Sequence, residues 1–181
     1  MQGKLVIVSG PSGSGKSTVT KIVKDRLDIP LSISATTRKP RVGEIDGKDY
    51  FFLTKEKFEE KIKSDEFYEY ANVHGNYYGT LKEVVESNLK KGNNVILEID
   101  VQGALVVKEK KKDAVLVFFK TENMDILEER LRKRKTDCEE IILTRLKNAS
   151  EELKYESEYD YTIINNDIEK SCQELIDIIN K

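Results

Sequence analysis

Short apolar runs alternate along the chain with longer segments in which apolar side chains recur at helical spacing. The runs are typical of strands that helices cover on both faces, and the predicted strands span residues 5–8, 95–100, 114–119 and 161–164. The helices predicted between and after these strands span residues 18–27, 124–132, 139–156 and 168–179. Strands that alternate with helices in this way predict an α/β fold in which a parallel sheet is flanked by helices.

Residues 34–80 interrupt this alternation, and we expect them to form an excursion from the core. The strands predicted in and next to this region span residues 31–34, 50–53 and 67–73. Thr54 is predicted to cap a helix, and the glycines at both ends of 75–79 predict a turn. A capping box that begins at Thr80 predicts a further helix, which Gly92 ends.

Composition and charge limit the partners that the chain can have. Its 181 residues suit one domain with a full core, and a net charge of −2 provides no overall basic field for nucleic acid or a membrane surface. Two cysteines are too few for a zinc or disulfide pattern, and no apolar run approaches the roughly 20 residues of a membrane span. We therefore expect a cytoplasmic protein with neither nucleic acid nor membrane as partner. The basic run 108–112 is interpreted as a solvated helix end and turn.

A complete phosphate-binding loop follows the first predicted strand. It has the pattern G-x-x-x-x-G-K-[ST] and consists of Gly10, Pro11, Ser12, Gly13, Ser14, Gly15, Lys16 and Ser17. Its backbone N–H groups and the helix that begins near Thr18 form an anion site, Lys16 reaches the β- and γ-phosphates, and Ser17 ligates Mg²⁺. The pattern predicts a protein that binds a nucleoside triphosphate together with Mg²⁺.

Two further groups of charged residues suggest what is done with the triphosphate. Glu98 and Asp100 end an apolar strand, at the sheet edge where open α/β sheets bind ligands, and one or both are predicted to organise Mg²⁺. Arg38 and Arg41 lie on a predicted turn. They suit bidentate phosphate recognition, although by themselves they are equally well read as surface charges.

The chain resembles the guanylate kinase family from the phosphate loop to the last predicted strand. The blocks that carry the resemblance are Ser34, 36–44, 47–50, 75–80 and 99–103. They are long and stand in the family's order. The resemblance implies a P-loop parallel sheet with an inserted GMP-binding segment and a small lid.

The resemblance also implies how GMP is held. In the family the GMP phosphate is bound by the residues that match Arg38, Arg41, Tyr50 and Tyr78, and all four are competent donors.

The family's guanine-reading residue corresponds to Glu69, whose two oxygens can accept from guanine N1–H and the exocyclic amino group together. Adenine lacks that donor pair and would leave the carboxylate unpaired. Ser34 and Thr80 match hydroxyl contacts to the base, and Asp100 is a second candidate for the guanine amino group, as an alternative to Mg²⁺.

The segment from Arg130 to Arg145 resembles the family's lid. Arg134 and Arg145 match catalytic arginines that neutralise charge on the transferred phosphoryl group. The chain departs from the family where Lys133 and Lys135 stand in place of two lid glycines, which puts the register of Arg134 in doubt.

The implied reaction is ATP + GMP to ADP + GDP, with dGMP as a second acceptor. A monophosphate is already mostly dianionic at neutral pH, so no general base is needed, and His74, the only histidine, is interpreted as structural. The catalytic residues would be Lys16, Arg38, Arg41, Arg134 and Arg145.

We expect a monomer or homodimer with one domain. Its core covers about 1–33, 81–131 and 143–181, its GMP-binding segment covers about 34–80, and its lid covers about 132–142.

Three other functions were considered. A non-catalytic guanylate-kinase-like module that binds phosphopeptides would typically have a degraded phosphate loop, whereas Lys16 and Ser17 are present here. A related kinase for another phosphorylated acceptor, such as a ribose bisphosphate, would have no use for a guanine reader at Glu69. A GTPase switch would not need a second phosphate site.

Overall fold

The computed structural model describes residues 2–30, 32–73, 75–133 and 138–181. Its elements are, in chain order, β1 (Leu5–Ser9), α1 (Lys16–Leu27), β2 (Ala35–Thr36), β3 (Phe51–Phe52), α2 (Lys55–Lys63), β4 (Phe67–Val73), β5 (Asn76–Leu81), α3 (Lys82–Lys90), β6 (Val95–Glu98), α4 (Val101–Lys110), β7 (Val115–Lys120), α5 (Met124–Lys133), α6 (Glu139–Glu152), a 3-10 helix (Leu153–Glu158), β8 (Tyr161–Ile164) and α7 (Ile168–Asn180). The predicted helices and strands of the core are present, and α4 is an addition to them.

A four-stranded parallel sheet forms the centre of the described part of the chain, in the order β6-β1-β7-β8. Side chains of β1 alternate between its two faces, as the two-residue period of a strand requires. Val6 and Val8 pack with α1 and α7, whereas Leu5 and Ile7 pack with α3 and α4. The sheet is therefore covered by helices on both faces, which confirms the predicted fold class.

Residues 34–81 build a second, mixed sheet in the order β3-β2-β5-β4. This sheet has its own small core, in which the ring of Phe58 stacks on that of Phe67 with centroids 4.3 Å apart. Thr54 caps α2 as predicted, since its hydroxyl accepts from the Lys57 N–H at 3.2 Å. The predicted excursion is thus a sheet with a helix, packed beside the parallel sheet.

Three local expectations are wrong. Residues 32–34 are not in a strand, which instead covers Ala35–Thr36; Leu31 lies outside the described residues. Of the predicted turn at 75–79 only Gly75 is a turn residue, because Asn76 onward belongs to β5 and pairs with β4. Thr80 is not a helix cap: α3 begins after Leu81, and the Thr80 hydroxyl donates to Glu69 instead. In the last two cases pairing between strands replaces the conformation that the local sequence favours.

Candidate active site

The phosphate-binding loop turns back on itself at glycines. Gly10 has a φ of 136°, and a Cβ there would lie 2.0 Å from the Phe119 carbonyl oxygen, so only glycine fits. Gly15, with a φ of 84°, is the N-cap of α1, and the first turn of α1 carries no acidic side chain. The helix N-terminus therefore presents its N–H groups and positive dipole end to an anion in the loop.

Asn165, a residue that the sequence did not single out, anchors this loop from the far end of the chain. Its side-chain amide donates to the Ser14 carbonyl at 2.8 Å and its amide oxygen accepts from Ser171 at 3.0 Å, in a position that is only 2% exposed. A Cβ on Gly15 would lie 2.2 Å from the Asn165 amide nitrogen. The loop thus depends on contact with a residue about 150 positions away, which no local pattern reveals.

Two of the side chains predicted to be catalytic meet at the phosphate-binding loop. Lys16 Nζ donates to the Pro11 carbonyl at 3.2 Å, and Arg145 donates to the Ser12 hydroxyl at 2.7 Å. Arg145 is therefore at the phosphate loop. The other lid arginine, Arg134, lies outside the described residues, as do Lys135 and His74.

A cleft of about 380 Å³ opens beside the loop and is lined by Gly13, Gly15, Thr18, Arg130 and Asn165, among others. Arg130 donates to the Asn165 carbonyl at 2.8 Å, which ties α5 to the anchor of the loop. The sequence placed Arg130 at the start of the lid without giving it a role. Only the fold shows that it borders the cleft next to the phosphate loop.

The two acids at the end of β6 point to different parts of the site. The Ser17 hydroxyl donates to Glu98 at 2.5 Å, so these two oxygens converge beside the loop. Asp100 instead caps α4, where its carboxylate accepts from the Gly103 N–H at 2.7 Å. The sequence could not separate the positions of the two acids.

Arg38 lies in the bend after β2, beside aromatic and acidic side chains. Its guanidinium donates to both oxygens of Glu44 at 2.8 and 3.0 Å and lies 5.5 Å from the centre of the Tyr50 ring. Tyr50 and Tyr78 meet edge to face with centroids 6.1 Å apart. Hydrogen bonding to Glu44 raises the pKa of Arg38, with a smaller contribution from Tyr78.

Arg41 joins the same group through its backbone. Its N–H donates to Glu44 at 2.6 Å, while its side chain is exposed. The Arg38 guanidinium, followed by this N–H, holds the pKa of Glu44 below its usual value. Glu44 occurs in a block that carries the family resemblance, but no local pattern assigns it a role.

Glu69 faces a cleft of about 390 Å³ that Asp100 and Gly103 also line. The Thr80 hydroxyl donates to one Glu69 oxygen at 2.6 Å, and a Cβ on Gly103 would lie 3.4 Å from the other. Burial raises the pKa of Glu69, and Asp100 adds to that effect, while the bond from Thr80 opposes it. Ser34 lies in the strand-like segment before β2, where its carbonyl accepts from the Phe51 N–H at 2.9 Å.

The fold and the phosphate-binding loop define a P-loop kinase, and a second cleft lies at Glu69 in the neighbouring sheet. Among known proteins, the guanylate kinase family model matches residues 2–181, so the chain belongs to the guanylate kinase family. It is an enzyme that phosphorylates GMP at the expense of ATP.

Individual relatives agree with this assignment. The chain is 64% identical to guanylate kinase of Fusobacterium nucleatum, over 98% of this chain and 96% of that protein. It is 50% identical to guanylate kinase of Caldanaerobacter subterraneus, over 98% and 87% of the two chains. The crystal structure of guanylate kinase from Anaplasma phagocytophilum superposes with a TM-score of 0.75 at 34% identity and covers 99% of this chain and 85% of that one.

Among the described residues, no helix is both long enough and apolar enough to span a membrane.

Proposed function

We propose that the 390 Å³ cleft binds the guanine of GMP and that Glu69 is the residue that reads it. The observation that carries this assignment is the Glu69 carboxylate, which is partly buried at the edge of the cleft and accepts from the Thr80 hydroxyl at 2.6 Å. Its second oxygen faces the cleft beside Gly103. A partly buried carboxylate with acceptor capacity left over is stabilised by a ligand that offers two neighbouring N–H donors, as guanine does. Ser34, Thr80 and Asp100 complete the base site in this assignment.

The phosphate of GMP is assigned to Arg38, Arg41, Tyr50 and Tyr78. Three of these side chains already form one cluster, because Arg38 lies against the Tyr50 ring and Tyr50 meets Tyr78. The exposed Arg41 side chain is next to this cluster through its backbone bond to Glu44. Two guanidiniums and two phenol hydroxyls provide enough donors for a dianionic phosphate.

ATP is assigned to the loop from Gly10 to Thr18, with its base in the cleft lined by Arg130 and Asn165. Arg145, at 2.7 Å from Ser12, is placed to neutralise charge on the transferred phosphoryl group, and Arg134 is assigned the same role from the resemblance.

Ser17 and Glu98 are proposed to hold Mg²⁺, because their oxygens already converge at 2.5 Å and are of the hard type that this ion prefers. No cluster of three or more metal-ligating side chains occurs in the described part of the chain, which suits an ion that keeps waters and binds phosphates. When bound, Mg²⁺ would neutralise charge on the ATP phosphates. Asp100, the alternative candidate for Mg²⁺, is assigned to the guanine side, since it shares the cleft with Glu69.

In the proposed reaction a GMP phosphate oxygen attacks the γ-phosphorus of ATP, and the bond to the β,γ-bridging oxygen breaks to release ADP. Arg38 and Arg41 hold the nucleophile while Lys16 and Arg145 hold the phosphates of ATP, so the main contribution of the protein is alignment and charge neutralisation. The acceptor segment 34–80 and the lid 132–142 are proposed to close over the two nucleotides and exclude water.

We further propose that the chain works as one domain, as a monomer or homodimer, and that dGMP is also an acceptor. The core then comprises about 1–33, 81–131 and 143–181. None of the proposed contacts requires a second copy of the chain.

A coupled ADP-release assay with GMP, AMP, CMP and UMP at saturating ATP and Mg²⁺ tests the assignment of the base site. We expect strong preference for GMP, and we expect Glu69→Gln to reduce the GMP-to-AMP ratio of kcat/KM by roughly 10²-fold. Glu60→Gln, an exposed charge change in the same segment, serves as the control. Retention of the wild-type ratio by Glu69→Gln would show that another group reads the base.

A further inference from the structure

The basic run 108–112, interpreted from sequence as solvated, makes specific contacts in the folded protein. Lys108 donates to the Ala114 carbonyl at 2.5 Å, and Lys111 approaches Asp113 at 3.2 Å. Lys110, the last residue of α4, reaches away from the run. Its Nζ donates to the Phe67 carbonyl at 3.0 Å and lies 3.5 Å from the Asp65 carboxylate. Lys110 therefore links the core helix α4 to the first residues of β4 in the acceptor sheet.

The carbonyl that Lys110 binds lies at an irregularity of β4. Phe67 pairs with Leu81, but Glu69 pairs with Thr80, so Tyr68 is an additional residue on this strand. Such a bulge interrupts the alternation of side chains and redirects the residue that follows it.

The side chains around the bulge show the change of direction. Phe67 points into the core of the acceptor sheet, stacked on Phe58. Tyr68 packs instead among residues that include Val107 of α4, and Glu69 approaches Gly103 of the same helix. Two consecutive residues, Tyr68 and Glu69, thus face α4, where regular alternation would place only one of them.

Residues of the core helices α3 and α4 bind the bulge on both of its sides. Tyr68 is 4% exposed, and its hydroxyl donates to the Glu86 carboxylate on α3. Lys110 holds the carbonyl of the preceding residue, Phe67, and also lines the cleft that Glu69 faces. A charge-assisted bond from an ammonium to a backbone carbonyl is a strong positional restraint on this part of the strand.

We propose that Lys110 is a positioning residue for acceptor recognition: it holds the β4 bulge that turns Glu69 toward the purine. This inference rests on the proposed role of Glu69 as the guanine reader. It assigns a function to a lysine that touches neither the phosphate loop nor the cluster around Arg38, and it explains why the end of α4 reaches the acceptor sheet.

The charge of Lys110 adds a second effect. The charged or titratable groups that line the Glu69 cleft are Asp100 at the start of α4, Lys110 at its end, and Tyr68 and Tyr70 on β4. Asp100 raises the pKa of Glu69, whereas Lys110 lowers it. Because guanine needs the carboxylate form, kcat/KM for GMP falls as the pH drops through the Glu69 pKa. Removal of the lysine charge raises the pKa of Glu69, so the acid limb of the plot of kcat/KM for GMP against pH moves to higher pH.

The test compares Lys110→Met and Lys110→Arg with Lys112→Met, which removes the same charge from an exposed turn residue two positions later. We expect Lys110→Met to raise KM for GMP about tenfold, with KM for ATP and kcat nearly unchanged. The pH below which kcat/KM for GMP falls should also move to a higher value. Lys110→Arg, which keeps the charge and a donor, should recover most of the GMP affinity. Lys112→Met should behave as wild type.

Equal KM values for GMP in Lys110→Met and Lys112→Met would overturn the inference. A parallel rise in KM for ATP and a fall in the thermal midpoint would also overturn it, because that result indicates a structural role alone. Glu69→Gln separates this inference from the proposed function. If Glu69→Gln keeps the preference for GMP over AMP, the proposed function fails; if it loses that preference while Lys110→Met behaves as wild type, only the role of Lys110 fails.

Discussion

The Arg38 guanidinium is held by both oxygens of the Glu44 carboxylate, at 2.8 and 3.0 Å, and each side chain is less than one-fifth exposed. The same carboxylate accepts the Arg41 N–H at 2.6 Å. One acid thereby holds the guanidinium of Arg38 and the backbone of Arg41, the two arginines that are assigned to the GMP phosphate. A guanidinium fixed in advance loses less side-chain entropy when phosphate binds, and this reduces the free energy that binding must supply.

Glu44→Gln tests whether this arrangement supports acceptor binding. Loss of the charged acceptor should let Arg38 move, and we expect KM for GMP to rise about fivefold, with KM for ATP unchanged. Steady-state kinetics with each nucleotide varied in turn measures both values, and Glu60→Gln is the matched control in the same segment. A fall in KM for GMP would mean instead that Glu44 competes with the phosphate for Arg38.

Lys16→Ala should separate catalysis from acceptor binding. Lys16 lies at the phosphate loop, where its Nζ donates to the Pro11 carbonyl at 3.2 Å, and all but one of the residues assigned to GMP lie in the separate segment 34–80. We expect kcat to fall by roughly 10²- to 10³-fold while the Kd for GMP, measured by calorimetry, changes little.

Lys21→Ala, an exposed change on the same helix α1, controls for the loss of a lysine. If GMP affinity decreased in Lys16→Ala as severely as kcat, the division into two nucleotide sites would be incorrect.

Asn165→Ala should destabilise the protein and loosen the phosphate loop together. The substitution removes the bond to the Ser14 carbonyl and leaves the buried Ser171 hydroxyl without its acceptor. We expect the free energy of unfolding to fall by about 2–3 kcal/mol and KM for ATP to rise. Urea unfolding measures the first effect. Asn166→Ala, which removes an exposed bond to Glu122, should cost less than about 1 kcal/mol.

Two glycines near the active site should respond to alanine in opposite ways. At Gly103, on α4, an added Cβ meets Glu69 and Asp100 at ordinary contact distance, 3.4 Å. We expect Gly103→Ala to fold at least as well as wild type, since alanine favours a helix, but to raise KM for GMP because the methyl group enters the cleft. Gly10→Ala would place a Cβ 2.0 Å from the Phe119 carbonyl and should destabilise the loop.

Thermal unfolding together with KM for GMP distinguishes the two glycine variants. A Gly103→Ala enzyme with a wild-type KM would show that the purine does not approach this face of α4.

The two halves of the site differ in how far the sequence alone predicts them. Residues 10–17 were recognisable because the loop is built from consecutive residues, among which Gly10, Gly13 and Gly15 adopt the positive φ that its turns need. Glu44 and Asn165 were not recognised as functional, since each acts through a partner that the fold brings to it. Thr80 shows the opposite case: its local sequence favours a helix cap, but pairing of β5 with β4 places its hydroxyl on Glu69.

By itself, the sequence determined the phosphate-binding loop, the strands of the parallel sheet, most of the helices and, through its resemblance to a family, the activity. These features depend on residues that are close in the chain, or on blocks that are long enough to be recognised. The tertiary structure alone decided that Asn165 anchors the loop, that Glu98 meets Ser17, and that Lys110 reaches the bulge beside Glu69. Their partners are far away in the sequence, and only the packing of the two sheets and their helices brings them within bonding distance.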